Sequence, residues 1–177
     1  MRLLDESGPT ALTVQKLSIE RIAREAGVSK TTIYRWWSSK AAVVIDTFLD
    51  NHVARTPVRD EMPAIEALRE HLASLAEVYA GREGRLVAQL IGECQYDSAT
   101  MAEFKTRFWT PRSHVATSLI RRAMDEGSLR GDLNPELIAE LLYSPIYFRL
   151  LFQAGTLDAE ATKAILQTAL EGLASRR

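Results

Sequence analysis

The chain has 177 residues, of which 46% are hydrophobic and 25% charged, with a formal net charge of −1 and one cysteine. This length is enough for one or two domains that each bury a core, and the composition is that of a globular protein. One cysteine excludes an intramolecular disulfide and fits a reducing compartment. The sequence shows no export signal and no uninterrupted apolar run near 18 residues, so we expect a cytoplasmic protein that does not enter a membrane.

The charges are distributed unevenly along the chain. Residues 1–55 contain eight Lys or Arg and six Asp or Glu, a net charge of +2, and the remainder therefore carries −3. A protein that binds nucleic acid concentrates its cations in the part that meets the phosphates. The asymmetry is mild, but it has the sign expected for a DNA-binding N-terminal part.

The first predicted elements are short. Residues 2–7 are expected to be the end of a first helix that breaks at Gly8-Pro9, because proline cannot continue a helix. Three apolar residues follow that would cover the next segment: Leu12, Val14 and Leu17.

The segment from Ser18 to Trp37 has the pattern of two short helices joined by a tight turn. Ser18 is placed to cap the first helix, and Gly27 is placed to end it in the left-handed conformation. The first helix has one apolar face: Ile19, Ile22, Ala23 and Ala26. Ser29 is expected to cap a second helix from about Lys30 to Trp37. This arrangement is a helix-turn-helix, whose second helix fits the major groove of DNA.

The second helix is expected to have an inward and an outward side. Ile33 and Trp37 are four residues apart and should face the first helix. Hydroxyl and cationic side chains can reach base edges and phosphates, and the Thr methyl can pack on a thymine methyl. The residues predicted to contact DNA are Ser29, Lys30, Thr31, Thr32, Tyr34, Arg35, Trp36 and Lys40. The alternative is a surface helix with ordinary solvated cations and two core aromatics.

The rest of the chain is predicted to be helical. Ser38 or Ser39 should cap a helix that extends to about Ala54. A polar segment with two prolines, 55–63, is expected to separate residues 1–55, the DNA-binding domain, from 56–177, a helical ligand-binding and dimerisation domain. Pro111 should start or kink a helix, and Asn134-Pro135 should begin one. The later helices are predicted at about 64–79, 82–96, 100–125, 134–153 and 158–173. The predicted fold class is therefore all-α.

The last two predicted helices carry broad apolar surfaces. A helix that is apolar nearly all round is buried on more than one side. We expect these helices to pair with a second subunit through a two-fold four-helix interface, which would let a dimer read a palindrome. The predicted dimer contacts are Leu142, Ile146, Leu150, Ile165, Ala169 and Leu173. The alternative is that these faces only fill the core of one chain.

The helix-turn-helix segment resembles the DNA-binding domain of TetR/AcrR-type transcriptional repressors. The matching motifs are Ile22-Ala23, Ala26-Gly27-Val28-Ser29, Thr32-Ile33-Tyr34, Trp36-Trp37 and Ser39-Lys40. They cover about the first quarter of the chain, and the similarity beyond them is one of length and helical pattern. The resemblance implies that Tyr34 and Lys40 hold phosphates and that the Thr residues lie at or near the bases. In one respect the chain departs from the family, which usually has a longer first helix, often with a basic lead-in.

The resemblance also implies dimerisation through the two C-terminal helices and an apolar ligand pocket in the second domain. The pocket candidates are Leu90, Cys94, Tyr96, Met101, Phe104, Phe108, Trp109, His114 and Tyr147. Of these, His114 is the polar residue that could orient a small apolar ligand. The alternative is that each is an ordinary core residue, and Cys94 is either a redox sensor or an inert buried thiol.

No motif points to catalysis. His52, His71 and His114 stand far apart in the sequence, and none belongs to a Glu-x-x-His or His-x-x-x-His pair. No Gly-rich phosphate loop, nucleophile elbow or CxxC is present. We therefore predict no metal, no cofactor and no enzyme activity. The predicted function is a DNA-binding transcriptional regulator, a ligand-responsive repressor on a palindromic operator; the alternatives are an architectural DNA-binding protein without a ligand and a helical enzyme.

Overall fold

The structure, a computed structural model, describes Val14 and residues 16–173. The predicted helix end at residues 2–7, the break at Gly8-Pro9 and Leu12 lie outside the described residues. Regular secondary structure in the described part is helical, as predicted. The helices are α1 Ile19–Ala26, α2 Lys30–Tyr34, α3 Lys40–Arg55, α4 Ala64–Ala80, α5 Arg82–Cys94, α6 Ser98–Phe104, a π-helical segment Lys105–Trp109, α7 Thr110–Asp125, α8 Pro135–Phe152 and α9 Ala159–Leu173.

The described residues fall into two compact units. The first contains the residues up to Asp50 together with Leu86–Thr110, and the second contains Asn51–Arg85 together with the residues from Pro111 on. Neither unit is a single continuous stretch, because α3 and α5 each contribute residues to both. A boundary after residue 55, as inferred from the prolines, stays a prediction.

The first unit is built on α3 and three phenylalanines. Ser39, rather than Ser38, caps α3, because its hydroxyl accepts a hydrogen bond from the N–H of Ala42 at 3.1 Å. Phe48 of α3 is fully buried and lies 5.7 Å, centroid to centroid, from Phe108, which in turn lies 5.3 Å from Phe104. Offset aromatic rings at these distances stabilise a core beyond the area they bury.

A π-helical segment lies within the helical stretch predicted at about 100–125, directly before the predicted start or kink at Pro111. Asp97 caps α6, two residues earlier than expected, and accepts hydrogen bonds from Ala99 and Thr100. Pro111 has no N–H, so the regular hydrogen bond to the carbonyl of Arg107 cannot form, and the turn before it widens. The prediction that Pro111 starts or kinks a helix is confirmed, since α7 begins at Thr110.

The second unit packs α4 against α8 and α9. Asn134 caps α8, accepting from the N–H of Leu137 at 2.9 Å, and Asp158 caps α9, accepting from Ala161 at 2.7 Å. Both starts agree with the predictions. The buried apolar side chains of this unit include Leu68, Leu72, Leu75, Ile138, Leu142, Ile146, Leu166 and Leu170.

One glycine is required by a close backbone approach between α4 and α5. A Cβ atom at Gly84 would lie 2.0 Å from the carbonyl oxygen of Tyr79. No side chain can be accommodated at that distance, so residue 84 must be glycine if α5 is to begin where it does. Gly92, in the same helix, has open space around its Cα.

The three histidines have separate environments. His52 is buried and its Nδ1 lies 2.6 Å from Glu83, His71 is buried, and His114 is exposed. Among the residues that the structure describes, no group of three or more His, Cys, Asp or Glu could hold a metal ion. None of the described helices is long and apolar enough to cross a membrane.

Candidate nucleic-acid interface

The turn between α1 and α2 is formed as the sequence predicts. The Ser18 hydroxyl caps α1 by accepting from the N–H of Arg21 at 3.2 Å. Gly27 adopts φ 66°, the left-handed conformation that costs a residue without Cβ no strain. The N–H of Val28 then reaches the carbonyl of Ala23 at 3.0 Å. These features make the end of α1 a Schellman turn, which reverses the chain within two residues.

The second helix of the motif is shorter than predicted. Ser29 caps it through the N–H of Thr32 at 3.0 Å, and the regular helix ends at Tyr34 rather than at Trp37. The helical hydrogen bonding nevertheless continues, because the N–H of Trp37 donates to the carbonyl of Ile33 at 2.9 Å. Trp37 is therefore held in the position that a longer helix would give it.

A small apolar core joins the two helices. Ile33 of α2 is 4% exposed and packs with Ile19 and Ala23 of α1. Ile22, Trp37 and Val43 are partly buried against the same cluster. The inward side predicted for α2 is thus confirmed, and it fixes which side of α2 points away from the body of the unit.

The outward side of α2 is exposed to solvent. Tyr34 exposes 55% of its side chain surface and Trp36 exposes 71%. Exposed large side chains that lie together on one surface are typical of a contact site, whereas single ones are common. The other predicted DNA contacts from this segment are also exposed: Ser29, Lys30, Thr31, Thr32 and Arg35.

The polar contacts within the motif leave the exposed side chains of α2 available to contact another molecule. The hydroxyls of Ser29 and Thr32 lie 2.9 Å apart. Lys30 pairs with Glu20 of α1 at 3.0 Å, and both side chains are more than half exposed. An exposed ion pair contributes little stability, so the ammonium of Lys30 can exchange this carboxylate for a phosphate at small cost.

Lys40 has a different environment from the one predicted. Its ammonium lies 3.2 Å from the carboxylate of Glu93, and both side chains are mostly buried. A phosphate that contacts Lys40 must therefore share the ammonium with Glu93. Sequence analysis missed Glu93, which is 53 residues away, because nothing in the local pattern connects α3 with α5.

A hydrogen-bonded network attaches the end of the motif to the rest of the first unit. The indole N–H of Trp37 donates to Asp46, and Asp46 also accepts from the guanidinium of Arg107 at 3.1 Å. Arg107 donates to Glu103 at 2.6 Å, and Glu103 accepts from the hydroxyl of Ser38. Hydrogen bonds from Ser38 and Arg107 lower the pKa of Glu103, which keeps this carboxylate ionised. None of these partners was predicted; except for Arg107 and Glu103, which are four positions apart, the paired residues are 9 to 65 positions apart.

The nine candidate ligand residues do not form one group. Leu90, Phe104 and Phe108 lie in the core of the first unit, where Phe104 packs on Phe108 and Phe108 packs on Phe48. Tyr96 is 95% exposed, which is inconsistent with a place in the wall of an enclosed pocket of one chain. The remaining candidates of this unit are Cys94, which is buried, Met101, which is half-buried, and Trp109, which is 42% exposed. His114 and Tyr147 belong to the second unit, where His114 is exposed and Tyr147 half-buried.

Cys94 has the environment of an inert thiol. It is buried, and burial raises the pKa of its thiol above the ordinary value. The thiolate is the reactive form of cysteine, so a raised pKa at a buried site disfavours redox sensing.

Two of the six predicted dimer contacts are buried within their own chain. Leu142 and Ile146 are buried in the second unit, so they cannot present their side chains to a second subunit. Leu150, Ile165 and Ala169 are half-buried, and the side chain of Leu173 lies outside what the structure describes. Another side of α8 is exposed and apolar instead, at Leu137, Leu141, Phe148, Leu151 and Phe152. Helical spacing alone could not tell the two sides apart, because α8 is apolar around most of its circumference.

Two family models match most of the chain. Residues 1–47 match the model described as bacterial regulatory proteins, tetR family. Residues 58–169 match the model described as tetracyclin repressor-like, C-terminal domain. The two matches join the helix-turn-helix to a helical C-terminal domain, in the order predicted from the sequence.

Individual proteins agree with these models. The chain is 37% identical over 171 residues to the uncharacterized HTH-type transcriptional regulator YdeS of Bacillus subtilis, covering 97% of this chain and 84% of that protein. It is 28% identical to the TetR family transcription regulator SCO0332, with a TM-score of 0.80 over 90% of this chain and 88% of the other. The regulator FadR from Bacillus subtilis, solved in complex with stearoyl-CoA, shares the fold at 16% identity, with a TM-score of 0.70 and 90% coverage of each chain.

Proposed function

This chain belongs to the TetR family of DNA-binding transcriptional regulators, and from that premise we propose that it is a repressor that binds a palindromic DNA site as a homodimer and releases it when a small ligand binds. Repression follows from occupancy, since a dimer that covers a promoter excludes the polymerase. Ligand binding reverses repression to the extent that the ligand prefers the conformation that does not fit DNA.

The observation that carries the DNA-binding part is the exposed side of α2. Ile33 holds the helix on α1 from within, and the opposite side presents Thr31, Thr32 and Tyr34 to solvent. In a helix-turn-helix this second helix enters the major groove. The Thr side chains suit base edges, and the phenol of Tyr34 suits a phosphate.

The exposed apolar stripe of α8 supports the dimer. Leu137, Leu141, Phe148 and Phe152 recur at spacings that place them on one side of the helix, with Phe148 and Phe152 in ring contact at 5.0 Å. A contiguous exposed stripe of large apolar side chains is costly in water and is typical of a protein–protein contact. A second copy of the chain can cover it with the same stripe about a two-fold axis. Two such subunits would present two α2 helices to the two halves of a palindrome.

Ligand response is supported by relatives. FadR shares this fold and its structure contains stearoyl-CoA. A regulator of the same fold that binds a small molecule makes a ligand-responsive mechanism for this chain the simplest hypothesis.

The test is retention of genomic DNA fragments by the purified full-length protein in a gel shift titrated with salt. We expect a small set of retained fragments that share a palindrome, with affinity that falls steeply as salt rises because phosphate contacts release counterions. Uniform retention of all fragments would contradict a site-specific repressor and favour an architectural protein. Failure to retain any fragment at low salt would contradict DNA binding altogether.

A further inference from the structure

Arg112 of α7 carries a positive charge in the second unit without a carboxylate to balance it. The side chain is largely removed from solvent, and burial lowers the pKa of its guanidinium. Its hydrogen bonds come from Nη2, at 2.8 Å to the hydroxyl of Thr56 and 2.8 Å to Nε2 of His71. Within the described part of the chain no Asp or Glu pairs with it. A buried charge is costly unless it is paired, so this guanidinium is arranged to receive an anion.

The donor and acceptor roles around Arg112 can be assigned from chemistry. Arginine can only donate, so Nε2 of His71 must accept. Burial and the nearby Arg112 charge lower the pKa of His71 to about 3, so its ring is neutral and Nδ1 carries the proton. That Nδ1–H donates to the hydroxyl oxygen of Tyr143 at 2.7 Å. The O–H of Tyr143 consequently remains free to donate to another acceptor.

Two of the tyrosines beside Arg112, Tyr143 and Tyr147, are partly accessible to solvent. Burial raises the pKa of Tyr143 and of Tyr147, yet both side chains keep part of their surface accessible. Tyr147 lies 3.0 Å, oxygen to oxygen, from Tyr79. The phenols of Tyr79, Tyr143 and Tyr147 are close enough to Arg112 to raise the pKa of its guanidinium, which partly offsets the effect of burial. Tyr143 and Tyr147 are therefore within reach of a small molecule from solvent.

Arg112 also has donors that no described residue uses. The guanidinium has five N–H groups, and Nη2 accounts for two of them. Nε and Nη1 carry the other three N–H groups, which make no hydrogen bond within the described residues. Neither nitrogen is fully buried. The adjacent carboxylate of Glu83 is not a competitor for these donors, because it is held by Asn51 at 2.9 Å and His52 at 2.6 Å.

We propose that Arg112 and Tyr143 bind the carboxylate of a small organic acid, and that this acid is the ligand class to which the regulator responds. The Nε–H and Nη1–H groups of Arg112 can each donate to a carboxylate oxygen, and the O–H of Tyr143 supplies a further donor. The partly exposed rings of Tyr143 and Tyr147 give the organic part of the ligand apolar surface. The inference rests on the proposed function for its regulatory meaning, but the binding itself can be tested without DNA.

The experiment is calorimetric titration of the full-length protein with matched pairs of an acid and its neutral amide: benzoate and benzamide, hexanoate and hexanamide, decanoate and decanamide. We expect the carboxylate of at least one pair to bind at least 10-fold more tightly than its amide. R112Q should abolish that preference. R121Q is the matched control, because Arg121 is in the same helix, is exposed and pairs with Glu136 at the surface, so it should keep the preference.

A second variant covers the case in which R112Q does not fold, as judged by its circular dichroism. Y143F keeps the ring and removes only the O–H, and should weaken carboxylate binding about 10-fold while leaving amide binding unchanged. The inference is overturned if the wild type binds the acid and the amide of every pair equally well. It is also overturned if R112Q keeps the full preference for the carboxylate, or if Y143F keeps it where R112Q does not fold. If the protein retains specific DNA but shows no preference for the carboxylate, only this inference is overturned. If it prefers the carboxylate but retains no specific DNA, only the proposed function is overturned.

Discussion

The indole N–H of Trp37 donates to the carboxylate of Asp46 at 2.9 Å, and this hydrogen bond connects the end of the helix-turn-helix to α3. Asp46 also accepts from Arg107 of the π-helical segment, so one carboxylate positions two partly buried donors. Replacing Asp46 by alanine leaves both donors without their acceptor. We expect D46A to lower the free energy of unfolding by about 1–3 kcal/mol and to weaken DNA binding.

Denaturant titration and a gel shift on the same samples measure the two effects of D46A. D50A is the matched control, because Asp50 is an exposed residue of the same helix. If D46A and D50A have equal stability and equal DNA affinity, the hydrogen bond does not position the motif.

Tyr34 and Thr32 should affect DNA binding in different ways. Tyr34→Ala removes a phenol assigned to a phosphate, so we expect weaker binding to every sequence by a similar factor. Thr32→Ala removes a hydroxyl and a methyl assigned to a base edge, so we expect the ranking of sites to change, by about 1–3 kcal/mol at one base pair. Binding to a library of randomised sites measures both. Wild-type affinity in Tyr34→Ala would show that α2 is not the helix that meets the DNA.

Phe148 should be required for dimerisation. It is 55% exposed in the middle of the apolar stripe of α8, so a carboxylate there would be desolvated when two stripes meet. We expect F148D to sediment as a monomer at micromolar concentration where the wild type is a dimer. V53D is the control, because Val53 is an exposed apolar residue of α3, outside the stripe. A dimeric F148D, in analytical ultracentrifugation, would exclude this side of α8 from the interface.

Stability should fall in mild acid because of His71. The pKa of His71 is about 3 in the folded protein and ordinarily 6.5, so between these values the unfolded chain binds the extra proton. Stability linked to His71 is therefore fully present above pH 6.5 and is lost as the pH falls toward 3. From pH 7.5 to pH 5 the expected loss is about 2 kcal/mol.

H71Q separates this effect from other titrating groups. The amide of glutamine can accept from Arg112 and donate to Tyr143 as the neutral ring does, but it does not titrate. Denaturant titrations at pH 7.5 and pH 5 should show a smaller loss for H71Q than for the wild type. Equal losses in the two proteins would mean that His71 is not held neutral.

Gly84 and Gly92 provide a matched pair in α5. Alanine at position 84 would place its Cβ 2.0 Å from the carbonyl oxygen of Tyr79, so G84A must displace α5. We expect a loss of about 1–3 kcal/mol or more in the free energy of unfolding. G92A meets nothing within 4 Å and should be neutral or stabilising by up to about 1 kcal/mol, since alanine favours helix. Thermal unfolding of both variants is the measurement, and equal behaviour would contradict the close approach.

The sequence by itself determined the local structure of the DNA-binding motif. The caps at Ser18 and Ser29 and the left-handed turn at Gly27 depend on contacts within about five residues, and the inward position of Ile33 depends on packing against Ile19 and Ala23 within the same short motif. Such contacts are specified by residue type and spacing, so the motif and its family resemblance could be recognised before any coordinates. The start of α8 at Asn134-Pro135 was predictable for the same reason.

Only the tertiary structure decided which polar groups meet across the chain. Lys40 meets Glu93, and Arg112 meets His71 and Thr56, at separations of 41 to 56 residues that no local pattern encodes. The same holds for α8, where Leu142 is buried and Phe148 exposed although both are large and apolar. Helical periodicity orders residues around an axis, but the packing of neighbouring helices selects the side that is buried. For that reason local spacing could predict the helix-turn-helix core but not the burial of Leu142 and Ile146, and the ligand and dimer residues stay a prediction.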